Sequence, residues 1–263
     1  MTVCGIIPAR LASTRYPDKP LALILGIPMI GHVYYRSCMA ESLDEVWVAT
    51  CDEAIRDYVV SIGGRAVMTS DSHERASDRA AEAVVKIEEL DGTRVDWAAL
   101  IQGDEPMIVP AMIDELVRAG LQDEDAEYVN LVERIRSQEE FEDPNTVKIV
   151  ADRQGYAMYL SREPIPSRKK YAGEVPMWKQ LGMILFKRDA LLSYAEMEPT
   201  PLEMIESVDM DRVLEHGKRL KLVETTVSTK AVDTPEDLQE VERLMRGDPM
   251  IRRYGVLARK GAR

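Results

Sequence analysis

The sequence predicts an α/β protein organised on a mostly parallel sheet, and two observations predict it. The run 3–7 is apolar, β-branched and without a polar break, as a strand buried on both faces requires, and further short strands read at 45–50, 65–68 and 96–101. Stretches with helical spacing separate them, and the order strand, helix, strand, helix, strand is that of βαβ units.

The elements follow in order. After strand 3–7, residues 21–28 read as strand and turn, punctuated by Gly26 and Pro28. Helical spacing over 29–40 puts Ile30, Val33, Tyr34 and Ser37 on one side. Strand 45–50 ends in the acidic turn Cys51-Asp52-Glu53, helix 53–62 stops at Gly63-Gly64, and 65–68 is the third strand. A helix over about 77–90 takes Ser77 as its N-cap. Strand 96–101, an amphipathic helix over 111–121, strand 128–132 and a short helix over 137–141 come next. The last strand, 221–227, precedes a helix start at Thr234-Pro235-Glu236, with Thr at the N-cap, Pro at N1 and Asp237 at N3. The Arg- and Gly-rich stretch 246–263 reads as a mobile tail, which leaves 1–245 as one domain.

Composition narrows the function. At 45% hydrophobic and 30% charged residues this is an ordinary globular chain. No apolar run approaches a membrane span, and residues 1–3 lead straight into a strand, so the expectation is a cytoplasmic protein with no membrane partner. Cys4, Cys38 and Cys51 are odd in number, lack metal-site spacing and read as reduced, mostly buried packing residues. A net charge of −12 argues against a nonspecific nucleic-acid role and makes any local cluster of cations informative. It also hints at a divalent metal if the ligand is an anionic nucleotide.

Such a cluster follows the first strand. Pro8 and Pro17 bracket a non-helical loop carrying Arg10, Arg15 and Lys19 with Ser13 and Thr14. Loops at the carboxyl ends of parallel strands are where open α/β sheets bind ligands, and three cations suit a polyphosphate. A solvated basic loop is the other reading. A second candidate is Gln102-Gly103-Asp104-Glu105-Pro106, which places carboxylates just after a buried strand, where Asp offers the hard oxygens Mg²⁺ takes. By itself, Gly-Asp reads equally as a polar turn. A third is Asp233, which precedes the Thr234 cap without being needed for it.

Together these strings resemble the CMP-Kdo synthetase family, the 3-deoxy-manno-octulosonate cytidylyltransferases. Ile-Pro-Ala-Arg, Ser-Thr-Arg and Pro-Asp-Lys-Pro over 7–20 match the loop that holds the CTP triphosphate there. The resemblance implies Ala9, Arg10, Ser13, Arg15 and Lys19 as CTP ligands. The segment 73–79 is similar to the family's cytosine-binding box and implies His73, Arg75, Ala76, Ser77 and Arg79, although Arg75 and Ala76 stand where Ser-Gly is usual. The Gln-Gly-Asp-Glu-Pro string and the Val-Asp-Thr-Pro-Glu-Asp-Leu string imply Asp104 and Asp233 as ligands of Mg²⁺ and Gln102 as facing the acceptor, while Glu105 reads as orienting the turn. Arg10, Lys19, Asp104 and Asp233 are then the catalytic set.

On the acceptor side the resemblance implies Arg162, from Tyr-Leu-Ser-Arg over 159–162, as reader of the acceptor's carboxylate, and Glu206 from the Pro-Leu-Glu-x-x-Glu helix. Gln180 and Ile184 replace a His and a Tyr, and Asp209-Met210-Asp211 replaces Glu-Gln-Leu, so Gln180, Asp209 and Met210 mark an altered pocket. The implied fold is a single-domain, Rossmann-like nucleotide-diphospho-sugar transferase with a mixed, mainly parallel sheet. A small dimerisation and acceptor lobe is expected over about 167–210, in a homodimer. The expected reaction is Mg²⁺-dependent transfer of CMP from CTP to a small anionic acceptor: a Kdo-like 3-deoxy-2-ulosonic acid first, a modified (for example amino) sugar acid or a phosphonate second. A nucleotide-binding regulatory protein without turnover is the remaining class.

Overall fold

The computed structural model describes residues 1–12 and 16–261, with side chains described up to Gly255. The chain divides into two compact units, Met1–Asp114 with Thr229–Arg263, and Glu115–Ser228.

The first unit opens with β1 (Val3–Ala9), a 3-10 turn (Lys19–Leu21), the hairpin strands β2 (Leu23–Ile24) and β3 (Ile27–Pro28), and α1 (Met29–Ser37). Then come β4 (Glu45–Thr50), α2 (Glu53–Ser61), β5 (Arg65–Met68), α3 (Ala76–Asp91) and β6 (Trp97–Ile101). All main-sheet pairings here are parallel, in the order β6, β1, β4, β5. β1 is flanked on both edges, Ile6 pairing with Trp47 on one side and Leu100 on the other, and its uninterrupted apolar run is buried accordingly. The strands run in one direction, so the segments after Ala9, Met68 and Ile101 all leave from their carboxyl ends.

α4 (Pro110–Gln122) carries the chain into the second unit. There lie β7 (Tyr128–Arg134), α5 (Gln138–Glu142), β8 (Lys148–Ala151), β9 (Ala157–Ser161), β10 (Trp178–Lys187), α6 (Arg188–Glu196), α7 (Pro201–Glu206), α8 (Asp209–Glu215) and β11 (Leu220–Thr225). β11 pairs parallel with β7, while β10 is antiparallel to β7 and β8, and β8 to β9. The architecture is thus α/β with mixed, mainly parallel pairing, as expected. Back in the first unit, α9 (Pro235–Met245) starts at Thr234 with a capping box to Asp237, and α10 (Pro249–Gly261) follows.

Three expectations change. The chain stays extended through Arg75 (φ −99°, ψ 146°), so α3 begins at Ala76, and Ser77 lies inside the helix, fully buried, rather than at its cap. Most of the stretch read as a mobile tail is α10. Tyr254 is 2% exposed there, and Asp248, just before it, meets the buried Arg36. Its Arg and Gly content pointed away from a helix, yet Met250 and Ile251 pack it against the core beside Tyr254. Of the cysteines, Cys4 is buried, Cys51 half-buried and Cys38 exposed, and all three are free. Among the described residues no helix is long and apolar enough to cross a membrane.

Candidate functional site

A cleft of about 350 Å³ lies at the carboxyl ends of β1 and β6 in the first unit. It gathers Ala9, Arg10, Lys19, His73, Arg75, Ala76, Arg79, Gln102, Asp104 and Asp233 from segments far apart in sequence. Ser77 is not among the lining residues, because its place inside α3 buries it. Ser13 and Arg15 lie outside the described residues.

Lys19 is the hub. Its Nζ donates to Asp104 Oδ2 at 2.8 Å and to the Val232 carbonyl at 2.7 Å, and lies 3.5 Å from Asp233 Oδ1. The backbone builds this meeting. Asp18 adopts a left-handed conformation (φ 57°), which turns the chain into the 3-10 turn that begins at Lys19. Gly103 is required at close quarters, since a Cβ there would come within 2.8 Å of the Pro8 carbonyl oxygen. The Val232 N–H donates to the Asp104 carbonyl at 2.9 Å, and Thr229 Oγ1 donates to the buried Glu105 at 2.7 Å. Glu105 therefore ties the two Asp-bearing loops together.

The base-side segment is held by its own network. Arg79 is 3% exposed; its guanidinium donates to Thr69 Oγ1 and to the carbonyls of Ser70 (3.0 Å) and His73 (3.5 Å). Arg79 therefore shapes the loop as well as bordering the cleft. Arg10, which is exposed, also donates to the His73 carbonyl, at 3.4 Å. The His73 ring meets Glu82. Burial works to raise the Glu82 carboxyl, but hydrogen bonds from Lys86, the Ser70 N–H and His73 outweigh it and lower its pKa to about 2. This loop is an organised wall.

Asp104 and Asp233 present carboxylates to the cleft, and no three His, Cys, Asp or Glu side chains gather as a protein-only metal cage among the described residues. That donor set fits Mg²⁺, which typically binds through one or two carboxylates with waters and substrate phosphates supplying the rest.

The sequence and the fold have counterparts in known proteins. A family model described as cytidylyltransferase matches residues 4–220. The chain belongs to the cytidylyltransferase family. Similar curated proteins include 3-deoxy-manno-octulosonate cytidylyltransferases of Geobacter metallireducens (44% identical, covering 94% of this chain and 99% of that one) and Fusobacterium nucleatum (42%, covering 92% and 96%). A similar solved structure is that of CMP:2-keto-3-deoxy-manno-octonic acid synthetase complexed with CTP, at TM-score 0.86 and 35% identity, covering 94% of this chain and 99% of that one.

In the second unit of this cytidylyltransferase, the acceptor-side residues form a separate polar network. Arg162, expected to read a carboxylate, spends three nitrogens on backbone: Nε on the Glu206 carbonyl (2.6 Å), Nη1 on Pro144 (3.0 Å) and Nη2 on Ser207 (3.2 Å). It ties down the end of α7, whose Ser207 is left-handed. Glu206 accepts from Tyr159 Oη (2.6 Å), Ser161 Oγ (2.8 Å) and the Arg162 N–H (2.8 Å). Burial opposes ionisation of Glu206, but those donors prevail and hold its carboxyl below the usual range. Met210 is fully buried in α8, which corrects its assignment as an acceptor contact: its side chain packs in the core. Asp209 is half-buried, whereas Asp211 is fully buried and cannot touch a ligand directly.

Gln180 sits at a bulge in β10. Asn130, fully buried on β7, donates through Nδ2 to the Leu181 and Met183 carbonyls at 3.0 and 3.1 Å, so its Oδ1 must be the atom facing Gln180. Gln180 Nε2 donates to it at 2.6 Å. Sequence reasoning missed Asn130 and the buried pair His32 and Arg36. The available signal was a polar residue inside an apolar strand, and a His and an Arg four residues apart on a helix.

Proposed function

We propose that this chain transfers CMP from CTP to a Kdo-like 3-deoxy-2-ulosonic acid, releasing pyrophosphate. The observation that carries the reading is the meeting of Lys19, Asp104 and Asp233 in one cleft beside Arg10, in a chain of this family. An acceptor oxygen attacks the α-phosphorus of CTP in line, and pyrophosphate leaves. Arg10 and Lys19 stabilise the negative charge that grows on the leaving group. Asp104 and Asp233 would hold Mg²⁺, which when bound polarises the α-phosphate and lowers the acceptor's pKa. His73 and the wall organised by Arg79 border the place for the base. Gly103 lets the Asp104 loop pack directly against the Pro8 carbonyl at the end of β1.

The residues that the resemblance implies for the acceptor lie in the second unit. Gln180, oriented by Asn130, has its Oε1 left to accept a hydrogen bond, and Arg162 retains two N–H donors beyond those spent on backbone. An amino-substituted sugar acid is the second reading. Asp209 favours it, as a half-buried carboxylate that could face an ammonium, whereas Asp211 no longer supports it. The reading extends to a homodimer working in the cytoplasm; sedimentation at micromolar concentration tests the first and fractionation the second. Pyrophosphate release with CTP, Mg²⁺ and a panel of Kdo, amino-Kdo and a simple phosphonate tests the activity and separates the acceptors. Release with none of them would leave only nucleotide binding.

A further inference from the structure

Helix α1 carries two buried polar side chains four residues apart, His32 (0% exposed) and Arg36 (1%), and neither belongs to the cleft. Their partners fix every proton between them. His32 Nε2 lies 2.8 Å from the Ile24 carbonyl, which only accepts, so Nε2 carries the hydrogen. Burial holds the ring neutral, its pKa pushed down to about 4, so Nδ1 is bare and accepts from Tyr254 Oη at 2.8 Å. Tyr254 Oη in turn accepts from Arg36 Nε at 3.2 Å. Arg36 completes the set with Nη1 on the Ile108 carbonyl at 3.1 Å and Nη2 on Asp248.

The two backbone groups at the ends of this chain support the loops of the cleft. Ile24 is on β2, directly after the 3-10 turn that begins at Lys19; the turn closes with the Ala22 N–H on the Lys19 carbonyl (3.1 Å). Ile108 closes the turn after Asp104, its N–H donating to the Glu105 carbonyl at 3.2 Å. Ile24 and Met29 also share a buried cluster with Val232, whose carbonyl accepts from Lys19.

We propose that Tyr254 is a positioning residue for the nucleotide cleft: its hydroxyl locks His32 and Arg36, which hold Ile24 and Ile108 and so set the placement of Lys19 against Asp104. The hydroxyl can be tested apart from the ring. The ring stacks on Tyr35 (centroids 5.5 Å apart, planes 15°), and a Phe would keep that packing while leaving Arg36 Nε and His32 Nδ1 without their partner. The inference rests on the cleft being the CTP site.

The experiment is a double-mutant cycle of Tyr254→Phe and Lys19→Ala, reading kcat for pyrophosphate release, the acceptor KM and CTP affinity by calorimetry. Tyr254→Phe is expected to lower kcat about tenfold and to weaken CTP severalfold, with the acceptor KM unchanged. In the Lys19→Ala background the same change is expected to alter kcat and CTP affinity by less than about twofold. Equal losses in both backgrounds, or no loss in the native one, would overturn the proposal. Should Tyr254→Phe not fold, Asp248→Asn, which releases Arg36 from its other side, enters the same cycle with the same outcomes. Calorimetry needs no turnover, so a wrong acceptor would fail the pyrophosphate assay while leaving this test readable.

Discussion

Lys19 Nζ and Asp104 Oδ2 lie 2.8 Å apart although 85 residues separate them in sequence. No local rule brings them together. They meet because β1 and β6 are adjacent parallel strands whose carboxyl ends deliver both loops to one place, with the 229–233 segment closing over them. The following consequences can be measured.

Asp104→Asn and Asp233→Asn are each expected to abolish most turnover while leaving the fold intact. Each removes one carboxylate from a pair suited to a divalent ion, and losing transition-state charge stabilisation costs several kcal/mol, roughly a thousandfold in rate. Near-native rates at saturating Mg²⁺ in either variant would remove that residue from the metal site.

Lys19→Ala is expected to raise the KM for CTP and lower kcat together, since leaving-group charge grows in the transition state. Asp18→Asn is the control. It keeps a side chain that tolerates the left-handed backbone at φ 57°, so CTP kinetics are expected to change little. A Lys19→Ala enzyme with unaltered CTP dependence would show that the ammonium does not serve phosphate.

Much of this was legible beforehand, for identifiable reasons. The parallel strands announce themselves because strands buried on both faces need unbroken apolar runs, and the Thr234–Asp237 cap is a local pattern that survives folding. Glu105 reads in sequence as a turn-orienting residue; in the structure it accepts from Thr229 Oγ1. The acceptor side was harder to read, since an Arg bonding carbonyls and an Arg reading a carboxylate look alike in sequence; Arg162 bonds the carbonyls of Glu206, Pro144 and Ser207. Asp211 and Met210 also looked available, because nothing in a short helix shows which side of it the rest of the unit will cover.

Arg162→Lys is expected to lower Tm as well as acceptor affinity. A lysine cannot reach three carbonyls with a planar fork, and loss of those bonds at the end of α7 should cost about 1–3 kcal/mol. An acceptor KM that rises with Tm unchanged would mean the guanidinium serves only the ligand.

Asp211 gives a pH-dependent prediction. Burial, with the neighbouring carboxylates Glu206, Glu215 and Glu203, raises its pKa from 3.8 to about 7, against a single long bond from the Leu160 N–H at 3.4 Å. A group whose folded pKa is raised binds its proton more tightly in the native state, so its destabilising effect grows as pH rises from about 4 to 7 and is complete above that. Asp211→Asn is expected to raise Tm by roughly 2–6 °C at pH 8, a gain that shrinks as pH falls toward 4. A pH-independent change in Tm would contradict the burial of a charge there.

CMP transfer to a Kdo-type acid is measured by steady-state kinetics with CTP, Mg²⁺ and Kdo, with the product followed by mass. The expected result is a CMP adduct of the acid and one pyrophosphate per turnover, with kcat/KM within the usual range of about 10⁴–10⁸ M⁻¹s⁻¹. A value for Kdo far below that range, with an amino-substituted acid or a phosphonate inside it, would contradict the assignment.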